Sequence, residues 1–197
     1  MYKLKILALA GLIAIAGGIA DAESWILDGD ASRVAFGSVK SNTNGEVHHF
    51  KGVEGRVSAD GAVSVEIDLA SVETNIDIRN ERMVEHVFKG SPKAIINAQI
   101  DMSEISDLAV GESAVIEADG TLSVVGSEVD LFADMYVMRL TPERVMVSTN
   151  DMIMLSMEDV GLTAGIDKLM ELADLPGITW VSPVTLRLMF DLDAQKS

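Results

Sequence analysis

The chain has 197 residues, a formal net charge of −16 at pH 7 and no cysteine. A chain of this length normally forms one domain whose core needs no disulfide or metal. Its negative charge repels phosphate backbones and anionic headgroups, which argues against nucleic-acid binding. Without cysteine it has no thiolate metal site, cysteine nucleophile or redox dithiol. A hydrophobic content of 48% argues against intrinsic disorder.

Residues 1–22 have the three parts of a secretory signal peptide. Two lysines precede an apolar run over residues 6–19, and an Ala-Asp-Ala cleavage site ends at Ala22. The apolar stretch is shorter than the roughly 20 residues that a membrane-spanning helix needs. We therefore expect cleavage after Ala22, a periplasmic or secreted protein without stable membrane insertion, and one mature domain over residues 23–197.

The remaining sequence mostly alternates apolar and polar residues, which is typical of half-buried antiparallel strands. Strands are predicted over Ser32–Val39, Ala62–Leu69, Val129–Met138, Arg144–Thr149 and Val184–Phe190. The pairs Asp60-Gly61 and Asp119-Gly120 each predict a tight hairpin turn, because both residue types readily adopt positive φ. Residues 141–143 predict another turn. Pro183 cannot donate a ladder hydrogen bond, so it predicts a strand start or a bulge.

Two segments break this alternation and predict short helices. Ile78–Lys89 has apolar residues three to four positions apart and is stopped by Gly90-Ser91-Pro92, and Thr163–Asp174 is stopped by Pro176-Gly177. With about eight strands, the pattern predicts an all-β fold: an eight-stranded antiparallel barrel, closed or nearly closed, with two short helices.

The interior of such a barrel is either filled by side chains or holds one small ligand. The inward faces consist mainly of Val, Ile, Leu, Ala and Met with few aromatic residues, a lining that leaves room. Methionine also adapts to an irregular apolar ligand. The residue pattern leaves open the alternative that these side chains pack a filled core.

Particular segments resemble a known family. Trp25–Asp28, Ser32–Phe36 and Glu46–Phe50 resemble its opening, and Pro183–Leu186 with Phe190 its closing strand. Its most characteristic segment is a strand that ends in a Ser-x-x-Thr-like turn and leads into an Arg-Asp-type helix. Ile67–Thr74 followed by Asp77–Met83 resembles that segment, with Asn80 where the family commonly has Asp. The chain thus resembles the YceI-like family, also called polyisoprenoid-binding proteins.

The resemblance implies an exported, lipocalin-like barrel whose tunnel holds a long isoprenoid lipid of the quinone or polyprenyl type. No cofactor is required for this role. Burial of a long apolar tail contributes about 25 cal/mol per Å² of surface removed from water, so a dry tunnel binds it without polar contacts.

The residues predicted to bind this ligand face the barrel interior or lie on the first helix. They are Val34, Phe36, His48, Val65, Ile67, Leu69, Met83, Val87, Phe88, Val129, Leu131, Met135, Leu186, Leu188 and Phe190. Their helical members either close one barrel mouth over the ligand or simply plug it.

Two sets of polar residues near the first helix have alternative interpretations. His48 shares a strand face with Glu46 and is a candidate to hydrogen-bond a ligand headgroup. His49 points to the opposite face, so the two histidines do not form one metal site without a bulge, and no metal site is predicted. Arg79 and Arg82 are interpreted as ion-paired anchors of the helix, with anionic-ligand recognition as the alternative.

Two other function classes remain for comparison. An enzyme that uses Glu46 and His48 has no catalytic motif to support it, so the chain is not predicted to be an enzyme. The second alternative is a non-enzymatic interaction module, a filled barrel that docks on an envelope or redox partner. The acidic surface is consistent with a solvated face or with a basic partner.

Overall fold

The structure, a computed structural model, describes residues 24–193, so the signal-peptide prediction lies outside the described residues. The described chain contains twelve β-strands: β1 Trp25–Leu27, β2 Arg33–Lys40, β3 Asn44–Phe50, β4 Val53–Val57, β5 Ala62–Asp68, β6 Val72–Glu73, β7 Lys93–Gln99, β8 Ser113–Val124, β9 Ser127–Thr141, β10 Arg144–Thr149, β11 Ile153–Ser156 and β12 Val181–Leu192. Its α-helices are α1 Asp77–Arg82, α2 Ser103–Ser106 and α3 Thr163–Ala173. A 3₁₀ turn, Leu69–Ser71, joins β5 to β6, and a π-helical turn, Met83–Val87, continues α1.

The twelve segments form eight continuous bent strands. β1 runs on into β2, β3 into β4, β5 into β6 and β10 into β11, and each bent strand pairs antiparallel with the next along the chain. β12 closes the ring, because one of its edges pairs with β1 and β2 and the other with β10 and β11. The structure confirms the predicted eight-stranded antiparallel barrel.

The alternation of residues places the expected faces inside and outside. On β9, Met135 and Val137 are buried, whereas Phe132 on the opposite face is 73% exposed. On β12, Leu186 and Leu188 are buried and Arg187 between them is exposed. Successive side chains of a strand point to opposite faces, so the apolar positions of each strand share the barrel interior.

Two predicted turns are confirmed and one is wrong. Residues 142–143 form the turn between β9 and β10, as predicted. Gly61 has a φ of +85° in the turn between β4 and β5, as predicted. Asp119-Gly120 lies inside β8, and the turn to β9 is formed by Val125 and Gly126 with φ of 48° and 82°. A Cβ at Gly120 would lie 2.2 Å from the carbonyl oxygen of Asn97 on β7. This glycine therefore permits a close approach between strands rather than a turn.

Pro183 was predicted to mark the start of the last strand or a bulge, but it lies two residues inside β12 in an unbroken register with β11. β12 begins at Val181, and Pro183 pairs with Met154 of β11. The ladder between β12 and β2 begins only at Val184. The neighbouring carbonyl of Gly37 accepts a hydrogen bond from the hydroxyl of Ser182 instead, at 2.8 Å. The proline is tolerated because this part of the β2 edge does not depend on its missing N–H.

The two ends of the barrel differ. The helical end carries the β2–β3 hairpin, α1 with its π-helical turn, and α3; the distal end carries the turns at 58–61 and 142–143 and the segment 101–112, which includes α2. The helices predicted over Ile78–Lys89 and Thr163–Asp174 are both present, whereas α2 was not predicted. Within residues 24–193 no helix is long and apolar enough to cross a membrane.

Candidate functional site

A cavity of about 900 Å³ runs along the inside of the barrel. Ile78 and Leu169 border it at the helical end, and Trp25 and Ile105 border it at the distal end. β9 is 15 residues long, which at about 3.3 Å per residue and a tilt of about 45° makes the barrel roughly 35 Å long. The barrel is therefore not filled by its own side chains.

Small residues keep the middle of this cavity open. Ala98, Ala118, Gly120 and Ala133 all border it, on the adjacent strands β7, β8 and β9. They lie directly across from one another, because Ala98 pairs with Gly120 and Ala118 with Ala133. These positions were not among the residues predicted to bind the ligand, although their place in the inward alternation of β8 and β9 could have identified them.

Nearly all of the residues predicted to line the interior do border the cavity. They are Val34, Phe36, His48, Val65, Ile67, Leu69, Met83, Val87, Phe88, Leu131, Met135, Leu186, Leu188 and Phe190. The exception is Val129, which is half-buried opposite Leu122, packs against the core, and is not part of the cavity wall. Contact of these residues with a ligand stays a prediction.

The two histidines lie on opposite faces of β3, as expected. His48 borders the cavity with 4% of its surface exposed, and its Nε2 lies 3.2 Å from the hydroxyl of Ser38. Its Nδ1 is buried and has no hydrogen-bond partner among the described residues. Burial lowers the pKa of His48, and the nearby Arg79 charge lowers this pKa further, so the neutral imidazole is favoured at neutral pH.

Glu46 links two cations beside His48. Its carboxylate lies 2.6 Å from Nη1 of Arg79 and 2.8 Å from Nζ of Lys40. Burial raises the pKa of Glu46, but the hydrogen bonds and charges of Lys40 and Arg79 outweigh burial and hold this pKa below its ordinary value. One carboxylate is thus shared by two cations, so Glu46, Lys40 and Arg79 together carry one net positive charge at the helical end of the cavity.

The two arginines of α1 have different partners. Arg79 pairs across the barrel mouth with Glu46 and donates to the carbonyl oxygen of Thr74 at 2.7 Å, while its Nε is buried without a partner. Arg82 donates to the carbonyl oxygen of Leu172 at the end of α3, at 3.3 Å. Arg79 therefore has the anchoring ion pair that was expected, whereas Arg82 connects the two helices through a backbone contact.

The loop before α1 is held by Glu73. Its carboxylate accepts hydrogen bonds from the backbone N–H of Asn75 at 2.6 Å and the side-chain amide of Asn80 at 3.2 Å, and it pairs with Lys51. Asn80 also accepts a 2.6 Å hydrogen bond from the hydroxyl of buried Thr74. An aspartate at position 80 would lack the amide donor, so asparagine suits a neighbour that is a carboxylate.

These contacts predict a pH dependence of stability. The hydrogen bonds from Lys51, Asn75 and Asn80 lower the pKa of Glu73 to about 2. A depressed carboxyl pKa stabilises the folded state above the unfolded pKa, near 4.5, and that contribution is lost as the pH falls towards 2. We expect Glu73→Gln to lose less stability than the wild type between these two pH values, measured by urea unfolding.

The matched control is Glu54→Gln, at an exposed position on β4. It should keep the steep acid dependence of the wild type. An equally steep loss in Glu73→Gln would contradict a stabilising role of this carboxylate.

Comparison with known proteins places the chain in a family. A family model described as the YceI-like domain matches residues 25–173. The chain belongs to the YceI-like family. No curated protein matches it.

This YceI-like chain is also similar to solved structures. A polyisoprenoid binding domain from Saccharophagus degradans, implicated in plant cell wall breakdown, is 32% identical with a TM-score of 0.84, over 86% of this chain and 98% of that one. BcnA of Burkholderia cenocepacia is 17% identical with a TM-score of 0.63, over 83% and 98% of the two chains. A Campylobacter jejuni YCEI protein is 15% identical with a TM-score of 0.52, over 75% and 85%. The last two similarities show the fold alone.

Proposed function

We propose that this YceI-like protein is an exported, non-enzymatic binding protein or carrier that holds a long-chain isoprenoid lipid, of the quinone or polyprenyl type, in the barrel cavity. The apolar cavity that extends from the helical end to the distal end is the observation that carries the proposal. The similarity to the Saccharophagus degradans polyisoprenoid binding domain supports the ligand class. The signal-peptide pattern of residues 1–22 supports export to the periplasm or the medium.

The length and lining of the cavity suit an extended apolar tail. Aliphatic, aromatic and methionine side chains border it along the whole barrel. A tail stretched along an interior roughly 35 Å long is removed from water over most of its surface. At about 25 cal/mol per Å², this burial is sufficient for tight retention without a polar contact in the middle of the barrel.

The polar atoms at the helical end suit an uncharged headgroup. If the hydroxyl of Ser38 donates to Nε2 of His48, then Nδ1 carries the proton and its N–H is free to donate to a ligand oxygen. The Nε–H of Arg79 is a second buried donor without a partner. A quinone carbonyl or a polyprenol hydroxyl accepts such hydrogen bonds, so we place the headgroup here and the tail towards the distal end.

A substitution at His48 tests this placement. His48→Leu removes the donor and keeps an apolar side chain next to Phe36, whose ring centre is 5.2 Å from that of His48. We expect the affinity for a long-chain quinone to fall about three- to tenfold, the usual effect of one net hydrogen bond. Equilibrium titration of both proteins measures it.

The matched control is His49→Leu, on the outer face of the same strand, which should bind as the wild type does. Equal effects of the two substitutions, or an unchanged affinity of His48→Leu, would contradict the placement of the headgroup at His48.

Uptake of a purified ligand tests the function itself. Detergent-free protein is incubated with a long-chain ubiquinone or with the same quinone ring without its tail, and the protein peak from gel filtration is extracted and assayed for quinone. The proposal predicts that the long-chain compound co-elutes at close to one per chain and that the tail-free ring does not. Failure to retain the long-chain quinone and a polyprenol of similar length would overturn the proposal.

A further inference from the structure

We propose that the distal end of the cavity is a second polar subsite, which binds the anionic group of a lipid, a carboxylate or a phosphate, through Arg139. Arg139 follows Val137 on the inward face of β9 and borders the cavity. This subsite lies at the opposite end of the barrel from the proposed headgroup position at His48.

Among the residues that the structure describes, the guanidinium of Arg139 has no oppositely charged partner. None of the ion pairs within residues 24–193 involves Arg139. Its Nη1 donates to the carbonyl oxygen of Pro142 at 3.0 Å, and its Nε is buried without a hydrogen-bond partner. An arginine has only donors and stays protonated, so the missing partner is an acceptor, and a negatively charged one is favoured most.

The surroundings of Arg139 are apolar and raise the cost of its unpaired charge. Its guanidinium carbon lies 5.6 Å from the centre of the Trp25 ring, and Trp25 is buried, with 5% of its surface exposed. Ile100, Met102 and Ile105 border the cavity at this end. Arg139 is half-buried, and a charge that is partly removed from water is stabilised by a paired ion, so a bound anion would stabilise this chamber.

The segment 101–112 supports a ligand role for this chamber. Met102, Ile105 and Leu108 on this segment pack against the core and border the cavity, while Asp101 and Glu104 are exposed. The segment is joined to β9 next to the arginine, because the N–H of Gly111 donates to the carbonyl oxygen of Arg139 at 2.8 Å. The segment therefore covers the distal end of the cavity with an apolar surface. The aliphatic part of an anionic amphiphile can pack against this surface.

The arginines at the two cavity ends are paired differently. At the helical end, the Arg79 guanidinium has a carboxylate partner, Glu46, at 2.6 Å. At the distal end, Arg139 has no carboxylate partner among residues 24–193, which suits an anionic ligand. The proposal goes beyond retention of a neutral isoprenoid lipid, because it gives the same cavity a preference for an acidic amphiphile.

Paired ligands that differ only in charge test the subsite. Oleate is compared with methyl oleate, and farnesyl phosphate with farnesol, in equilibrium titrations of the wild type, Arg139→Leu, Arg139→Lys and Arg79→Leu. We expect the wild type to bind each anion about tenfold or more tightly than its neutral analogue. Arg139→Leu should lose this preference and keep the neutral affinities, Arg139→Lys should retain part of it, and Arg79→Leu should retain most of it.

The outcomes distinguish a carboxylate ligand from a phosphate ligand, and they distinguish failure of the anion subsite from failure of the carrier function. A preference for oleate alone identifies a carboxylate site, and one for farnesyl phosphate alone identifies a phosphate site; both support the subsite. Equal binding of charged and neutral analogues, or an equal loss for both in Arg139→Leu, would overturn it. Retention of neutral long-chain ubiquinone, measured on the same Arg139→Leu protein, reports on the carrier function separately.

Discussion

Replacement of Ala133 by phenylalanine is expected to reduce retention of a long-chain isoprenoid lipid at least about tenfold while the barrel stays folded. Ala133 lies on the inward face of β9 opposite Ala118, where small side chains leave the cavity open. A phenyl ring there occupies space that the tail needs, and a tail that cannot pass this point loses its burial beyond it. The empty cavity accommodates the ring, so the free energy of unfolding should be unchanged or up to about 1 kcal/mol higher.

The measurement is quinone content after incubation and gel filtration, together with urea unfolding. The control is Val115→Phe, at a 51% exposed position on the outer face of β8, which should retain the ligand like the wild type. Full retention by Ala133→Phe would contradict a tail that extends through the middle of the barrel.

Gly165→Ala is expected to destabilise the protein by about 1–3 kcal/mol, the usual cost of overpacking. In an ordinary helix interior the same change stabilises by up to about 1 kcal/mol, so the sign is informative. Here a Cβ on α3 would lie 2.5 Å from Cα of Val87 and 2.6 Å from the carbonyl oxygen of His86. Backbone atoms cannot rotate away as a side chain does. The added carbon therefore forces α3 to move away from the π-helical turn.

Chemical denaturation of the ligand-free protein measures this effect. Gly45→Ala makes the same chemical change in open space, with no atom within 4 Å of the added carbon, and should be close to neutral. A stabilised Gly165→Ala would show that α3 does not pack this closely on the turn that carries Met83 and Val87.

The alternation of apolar residues was sufficient to predict the barrel and most of its wall. A strand has a side-chain period of two, so every second residue of β9 and β12 was assigned to the correct face. Turn chemistry was a weaker guide. Asp119-Gly120 has the composition of a hairpin turn, yet the pairing of β8 with β7 overrides this local preference. Only a residue without a Cβ fits at position 120, because the carbonyl oxygen of Asn97 lies so close to it.

The polar part of the site could not be predicted in the same way. Glu46 and Arg79 are 33 residues apart in the chain, and their ion pair depends on where α1 crosses the barrel mouth. The contact between His48 and Ser38 depends on the register between β2 and β3. Arg139 continues the inward alternation of β9, but only the structure shows that it has no carboxylate partner among the described residues.

The volume of the cavity also depends on three-dimensional packing. Large apolar residues such as Phe36 and Met135 were predicted to face the interior, and their pattern alone is equally consistent with a filled core. The open space arises from small residues at Ala98, Ala118 and Ala133 that face one another across three strands. Val129 was assigned to the correct strand face, but it packs against the core and does not border the cavity.

Native mass spectrometry of the protein purified without detergent tests the central claim most directly. The intact complex is weighed, and the bound material is released with solvent and identified. If the barrel binds a lipid, the wild type should carry one isoprenoid species at close to one per chain. The Ala133→Phe variant should carry no ligand in the same measurement. A wild-type protein that is empty as purified, and that takes up no added long-chain quinone or polyprenol, would contradict the account.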